Sequence, residues 1–324
     1  MRITIYVTSL VLVLLVAGFK SPTPANESTV IAQGQMPALV NEGVSNTHLV
    51  WGKGDSILTA SFKNQGEVFS SPSLVTLLPG LAASGSRGPQ VAYTENGVTI
   101  MACNKSGDIF SYLKDASGKW SAPTRVNDLD TTAKEGLMAL SGEGKKLYAV
   151  WLDLRDKHNK IFGSGSSDGG KTWSKNKMIY ASPDETVCEC CKPSIVIKDN
   201  TVYVMFRNWL NGKRDMYLIR SADGGTTFGR AEKLGEGSWP LNGCPMDGGG
   251  IAVTGENKVQ TTWRRQAKIY SAEPGKPEVE LGEGRGSTLA LINNQPLFAW
   301  TEKGEVVLLL PKAGKKVLGK GRDP

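Results

Sequence analysis

Ser166-Ser167-Asp168-Gly169-Gly170-Lys171-Thr172-Trp173 and Ser221-Ala222-Asp223-Gly224-Gly225-Thr226-Thr227-Phe228 share one pattern, S-x-D-G-G-x-T-aromatic, and Asp168 and Asp223 stand 55 residues apart. The pattern suits a hairpin turn. Ser and Asp oxygens accept bonds from turn amides, the glycine pair supplies positive φ, and the closing aromatic plugs the sheet behind. A single copy is only a well-made turn. Two copies at a repeat-like interval set a register for the whole chain.

Working outward from that register, one unit recurs six times between Gln35 and residue 311. Each opens on a short apolar strand, at 37–40, 89–92, 137–140, 193–196, 250–253 and 288–291. A turn rich in Gly, Asn or Asp follows. A second strand comes next, in most units ending on an aromatic: Trp51, Trp151, Phe206, Trp263 and Trp300. A third strand and, in units three and four, the quoted hairpin complete the set. Six such meanders predict an all-β chain, a six-bladed β-propeller of four-stranded antiparallel blades over 35–311. The 38 Gly and 16 Pro, with no long helix-period segment, agree with a turn-rich chain.

The paired stretches resemble the Asp-box, or BNR repeat, of the sialidase-type β-propellers, and the cysteine segments described below resemble a bacterial subgroup of that family. Asn64-Gln65-Gly66-Glu67-Val68-Phe69 and Asp115-Ala116-Ser117-Gly118-Lys119-Trp120 look like worn copies in units one and two. The boxes read as fold punctuation. Their residues, Ser166, Asp168, Gly170, Thr172 and Trp173 with Ser221, Asp223, Gly225, Thr227 and Phe228, belong to turns between third and fourth strands.

In an up-and-down meander those turns lie at one end of the blade, with the turns between first and second strands. Any site is therefore expected at the opposite end, among the turns joining second to third strands and the connections between blades. That end gathers Arg87, Arg155, Arg207, Arg264, Arg285 and Asp247. Guanidinium forks grip carboxylate or sulfate with two parallel bonds, which makes this set a candidate anion receptor. Equally, each Arg can pair with Asp153, Asp156, Asp215 or Asp247 to tie neighbouring blades.

The resemblance implies a sialic-acid-type anionic glycan at an Arg-lined central pocket, gripped by three Arg. It also implies a Tyr nucleophile polarised by a Glu and an Asp that protonates the leaving group, because the substrate's own carboxylate repels an anionic nucleophile. Arg87, Arg207, Arg264 and Arg285 supply the grip, and Glu135 and Asp153 are the catalytic candidates. The sequence also departs from the family. No Arg lies between Arg2 and Arg87, and the last tyrosine, Tyr270, falls in the third strand of unit five. A non-catalytic propeller that binds glycan or protein is the alternative.

Cys188-Glu189-Cys190-Cys191 and Cys244-Pro245-Met246 occupy successive connections between blades, so four cysteines are expected to meet near the axis. One reading is a disulfide staple from the first group to Cys244. The other is a site for a soft metal or for redox chemistry, with Cys188, Cys190, Cys191 and Cys244 as ligands for copper, or less fittingly zinc. No other cofactor is expected, and two His exclude a His-rich metal centre. Cys103, the fifth cysteine, closes the second strand of unit two.

Residues 1–18 combine Arg2, an apolar run and small residues, the layout of a signal peptide, so the chain reads as secreted or periplasmic. A polar linker follows over 19–34. No later stretch is apolar and long enough for a membrane helix. Of the net charge of +7, Lys312, Lys315, Lys316, Lys320 and Arg322 against Asp323 place +4 at 312–324, which reads as a solvated basic tail and not as a nucleic-acid surface.

Overall fold

A computed structural model describes residues 30–43, 45–63, 68–322 and 324; the 1–18 segment, most of the 19–34 linker and the 64–67 part of the first worn box lie outside them. Residues 31–324 form one compact unit. The first blade is β1 (Gln35–Glu42), β2 (Asn46–Lys53), β3 (Ser56–Lys63) and β4 (Ser73–Leu77). The second is β5 (Gln90–Thr94), β6 (Gly97–Cys103), β7 (Ile109–Lys114) and β8 (Thr124–Arg125). The third is β9 (Met138–Glu143), β10 (Lys146–Asp153), β11 (Lys160–Ser166) and β12 (Lys177–Tyr180). The fourth is β13 (Ser194–Lys198), β14 (Thr201–Arg207), β15 (Met216–Ser221) and β16 (Glu232–Lys233). The fifth is β17 (Gly249–Val253), β18 (Val259–Arg265), β19 (Lys268–Ala272) and β20 (Val279–Glu283). The sixth is β21 (Arg285–Ile292), β22 (Gln295–Glu302), β23 (Glu305–Leu310) and β24 (Gly314–Lys320). Each sheet is an antiparallel meander in chain order, and the molecule is a six-bladed β-propeller.

The two-residue period of a strand explains why the second strands read as unbroken apolar runs: each is sandwiched between two neighbouring blades. In β10, Tyr148, Val150 and Leu152 pack with Val202, Val204 and Phe206 of the fourth blade. Ala149 and Trp151, on the opposite face, pack with Met101 and Cys103 of the second. β14 repeats the device, sending Tyr203 and Met205 towards Val259 and Trp263 of the fifth blade. Arg207 shares the phase of Tyr203 and Met205. It therefore enters the seam between blades four and five.

Both Asp-boxes close by the same bonds. Thr172 donates to Asp168 from its amide (2.9 Å) and its hydroxyl (2.6 Å), and the Gly170 amide donates to Ser166 Oγ at 2.9 Å. In the second box the corresponding bonds from Thr227 to Asp223 are 2.8 and 2.6 Å, and that from Gly225 to Ser221 is 2.8 Å. Each box also leans on the preceding blade. Trp173 Nε1 donates to Ser111 Oγ at 2.9 Å, and Tyr148 Oη donates to the Gly225 carbonyl at 3.2 Å. The worn box at Asp115 keeps only part of this pattern, with Ser117 and Lys119 amides donating to Asp115 Oδ1.

The fold corrects the reading of the C-terminus. Gly314–Lys320 is no tail but β24, the outer strand of the sixth blade, paired with β23 from Leu310↔Gly314 to Glu305↔Lys320. An outer strand faces solvent widely, so lysines there are in keeping with an edge.

Candidate functional site

Asp153 ends β10 fully buried, and every bond it accepts is local. Trp151 Nε1 (2.9 Å), the Arg155 amide (2.9 Å), Arg155 Nε (2.8 Å) and Arg155 Nη2 (2.9 Å) all donate to its carboxylate. Burial pushes its pKa up, but the bonds from Arg155 and Trp151 outweigh burial and hold it below the ordinary value. Arg155 goes on to Asp128 at 3.2 Å, and its guanidinium stacks 4.1 Å from the Phe162 ring. Asp153 and Arg155 thus tie blade three to the connection before it.

Arg87 and Glu135 are likewise engaged with each other. Arg87 Nε donates to the Glu135 carbonyl at 2.6 Å, and Nη2 lies 3.2 Å from its carboxylate. Nearby, Lys192 Nζ of blade four donates to Gln90 Oε1 of blade two at 2.8 Å, joining non-adjacent blades across the axis. Arg207 is 2% exposed and donates to three backbone carbonyls, those of Asp247 (3.2 Å), Arg214 (2.8 Å) and Arg264 (2.9 Å). Its charge is spent on holding the seam between blades four and five. The sequence set therefore separates: Arg87, Arg155 and Arg207 are structural ties, whereas Arg264 and Arg285 meet elsewhere.

Their meeting place lies between blades five and six. The β18–β19 turn, the Gly284 connection and the β22–β23 turn surround a cleft of about 510 Å³ lined by Arg264, Gln266, Glu283, Arg285, Thr301, Glu302 and Lys303. Arg264 Nε is 3.4 Å from Asp247 Oδ2 without a hydrogen-bond partner among the described residues, while its Nη2 donates to the Pro245 carbonyl at 3.4 Å. Asp247 also accepts from the Gly286 amide at 3.1 Å, which fixes the start of β21 beside it. Arg285 is exposed, and among the described residues it forms no ion pair. Glu302 is kept ionised by Lys315, whose Nζ lies 2.6 Å away and draws the pKa down. Sequence reasoning missed Gln266, Glu283, Thr301, Glu302 and Lys303. The rule that pointed to second-to-third-strand turns, applied to Glu302-Lys303-Gly304 of blade six, finds the last two of these.

Cys188, Cys190 and Cys191 form a separate buried cluster. Cys190 is bonded to Cys244, joining the two connections that flank blade four. Cys188 and Cys191 are free thiols whose Sγ atoms are 2.9 Å apart, and Cys188 Sγ is 3.8 Å from Cys190 Sγ. Arg214 Nη1 donates to Cys188 Sγ at 3.2 Å. The Cys191 hydrogen bond, acting with Arg214 and Arg207 against burial, lowers the Cys188 pKa to about 7, while burial pushes Cys191 well up. Cys103 packs in another core, between blades two and three, where burial raises its pKa to about 12.

Residues 81–236 match the family model of the BNR repeat-like domain. That stretch therefore carries the BNR repeat-like pattern, set within a six-bladed β-propeller. Among solved structures it is similar to the BP39L lectin from Burkholderia pseudomallei, with 11% identity, 88% of this chain and 83% of that one covered, and a TM-score of 0.61. An α-L-arabinanase of Penicillium chrysogenum, solved with arabinobiose, is 13% identical over 83% of this chain and 89% of its own, at a TM-score of 0.55. The Trypanosoma rangeli sialidase in complex with sialic acid is 13% identical over 89% of this chain and 54% of its own, at a TM-score of 0.50. At these identities the likeness is one of fold. No curated protein matches the chain in sequence.

Proposed function

We propose that the protein is exported and binds an acidic glycan in the cleft between blades five and six. The observation that carries this reading is Arg285: an exposed guanidinium without an ion-pair partner among the described residues, on a concave surface shared with Arg264 and Lys303. A sugar carboxylate would take the guanidinium fork, and Glu283, Glu302, Gln266 and Thr301 offer partners for hydroxyls. Structures of the same fold holding arabinobiose and sialic acid support a carbohydrate ligand. The apolar segment at 1–18 and the Cys190–Cys244 disulfide support export.

The reading is of binding and not of hydrolysis. Asp153 is sealed under four donated bonds and Glu135 is held by Arg87, so neither is placed as a free acid beside this cleft. Calorimetric titration with sialyllactose, a uronic-acid oligosaccharide and neutral lactose tests the proposal. Saturable binding of an acidic sugar, weakened about tenfold or more by Arg285→Ala, is expected from losing a charge-assisted bond. Absence of binding by both acidic sugars at millimolar concentration, or binding indifferent to Arg285→Ala, overturns it. Export is checked by the mass of the mature protein, which should lack residues 1–18.

A further inference from the structure

We propose that the cysteine cluster, once its disulfide is reduced, is a binding site for one Cu(I) ion held by Cys188, Cys190 and Cys191. The Sγ atoms of these three residues all lie within 4.8 Å of one another, and all three residues are buried. At a metal–thiolate bond of about 2.3 Å, the sulfurs of a trigonal site stand about 4 Å apart. The 3.8 Å between Cys188 and Cys190 already matches, and the 2.9 Å between Cys188 and Cys191 must open by about 1 Å.

Donor chemistry and charge both select the ion. Thiolates are soft ligands, which favour Cu(I). Structural zinc takes four ligands, but no His or carboxylate joins this group among the described residues, and Cys244, bonded to Cys190 alone and exposed, is not within mutual reach of all three sulfurs. Three thiolates around Cu(I) carry a net charge of −2. One guanidinium meets the cluster directly: Arg214 Nη1 donates to Cys188 Sγ at 3.2 Å and also pairs with Glu189 at 3.1 Å. The Cys188 amide, donating to the Arg207 carbonyl at 3.1 Å, pins the segment to the end of β14.

The chemistry balances with a dithiol as the reductant. Two electrons and two protons pass to Cys190 and Cys244, giving two thiols, while the dithiol becomes a cyclic disulfide. Cys188, Cys190 and Cys191 then release three protons as their sulfurs bind Cu(I), which does not change oxidation state. The Cys190–Cys244 bond is thus the metal-free oxidised form of the site.

The test uses the full chain, reduced without oxygen, freed of reductant and titrated with Cu(I) against bicinchoninate as a competing chromophoric chelator. The expected result is one Cu(I) per chain withheld from the chelator, with ultraviolet thiolate-to-metal absorption, and no such retention by the oxidised protein. Cys188→Ser and Cys191→Ser, made singly so that failure of one to fold leaves the other, should each abolish retention. Cys103→Ser should retain the ion, and Arg214→Gln should weaken binding by about tenfold or more. Surrender of all Cu(I) by the reduced wild type overturns the proposal. So does retention that survives both Cys188→Ser and Cys191→Ser, or uptake of Zn(II) in place of Cu(I).

Discussion

Gly225 lies against the ring of Tyr148: a Cβ at Gly225 would come within 1.9 Å of Tyr148 Cε2, while the Gly225 carbonyl accepts the Tyr148 hydroxyl at 3.2 Å. The second glycine of the Asp-box is therefore demanded by the neighbouring blade as well as by its own φ of +92°. Gly225→Ala should destabilise the protein by about 2 kcal/mol or more, through overpacking plus backbone strain. Gly212 separates the two causes, since its φ is +71° but nothing lies within 4 Å of its Cβ position. Gly212→Ala should cost about 1 kcal/mol, from strain alone. Urea midpoints of the two variants check the difference, and equal losses would remove the Tyr148 contact from the account.

Glu278 sets an acid limit on stability. Burial pushes its pKa up, but the amides of Glu236 and Gly237 and the Arg265 guanidinium, 2.7 Å away, outweigh burial and hold it at about 2. A carboxylate depressed in the folded state stabilises above its unfolded value, near 4.3, and that contribution is lost as pH falls through the folded value. The wild type should therefore lose stability between about pH 4.3 and 2 more steeply than Glu278→Gln does. Thermal midpoints across that range decide it; parallel curves for the two proteins would mean that Glu278 is not linked to folding.

What the sequence disclosed and withheld follows from physical differences between the residues concerned. The second strands were legible because burial on both faces leaves an unbroken apolar signature, as in Leu147 to Leu152. β24 was not, because an outer strand carrying Lys315, Lys316 and Lys320 has the composition of a solvated tail. The end of the blades that carries the cleft was legible as a region, since meander geometry alone places the turns. Which arginines stand free was not. Arg207 and Arg285 both lie at that end, and only strand phase and the reach of partners such as Asp128 for Arg155 decide which cations are spent.

The assignment of Asp153 to structure and Arg285 to binding makes their variants behave oppositely. Asp153→Ala leaves Arg155 without its buried partner and frees Trp151 Nε1, so a loss of about 3–5 kcal/mol is expected. Whatever protein remains folded should bind acidic sugar with unchanged affinity. Arg285→Ala should leave the stability from urea unfolding within about 0.5 kcal/mol of wild type, as an exposed side chain without an ion pair among the described residues does. Measuring both stability and sugar affinity for both variants is the check; loss of affinity in folded Asp153→Ala would return that carboxylate to the functional site.

The Cys190–Cys244 bond closes a loop with a sequence separation of 54 residues, which contains all of blade four. Chain entropy assigns a loop of that length about 4 kcal/mol. Cys244→Ser should approach that loss under non-reducing conditions and none of it in the presence of a dithiol, where the wild type has lost the same constraint. Cys188→Ser breaks no disulfide, so its effect should be the same with and without the dithiol. Paired urea titrations of wild type, Cys244→Ser and Cys188→Ser in the two conditions give the comparison. A wild type indifferent to reduction would show that blades four and five are held by the Arg207 carbonyl bonds and the Trp263 core, with the disulfide free to serve the cluster's chemistry.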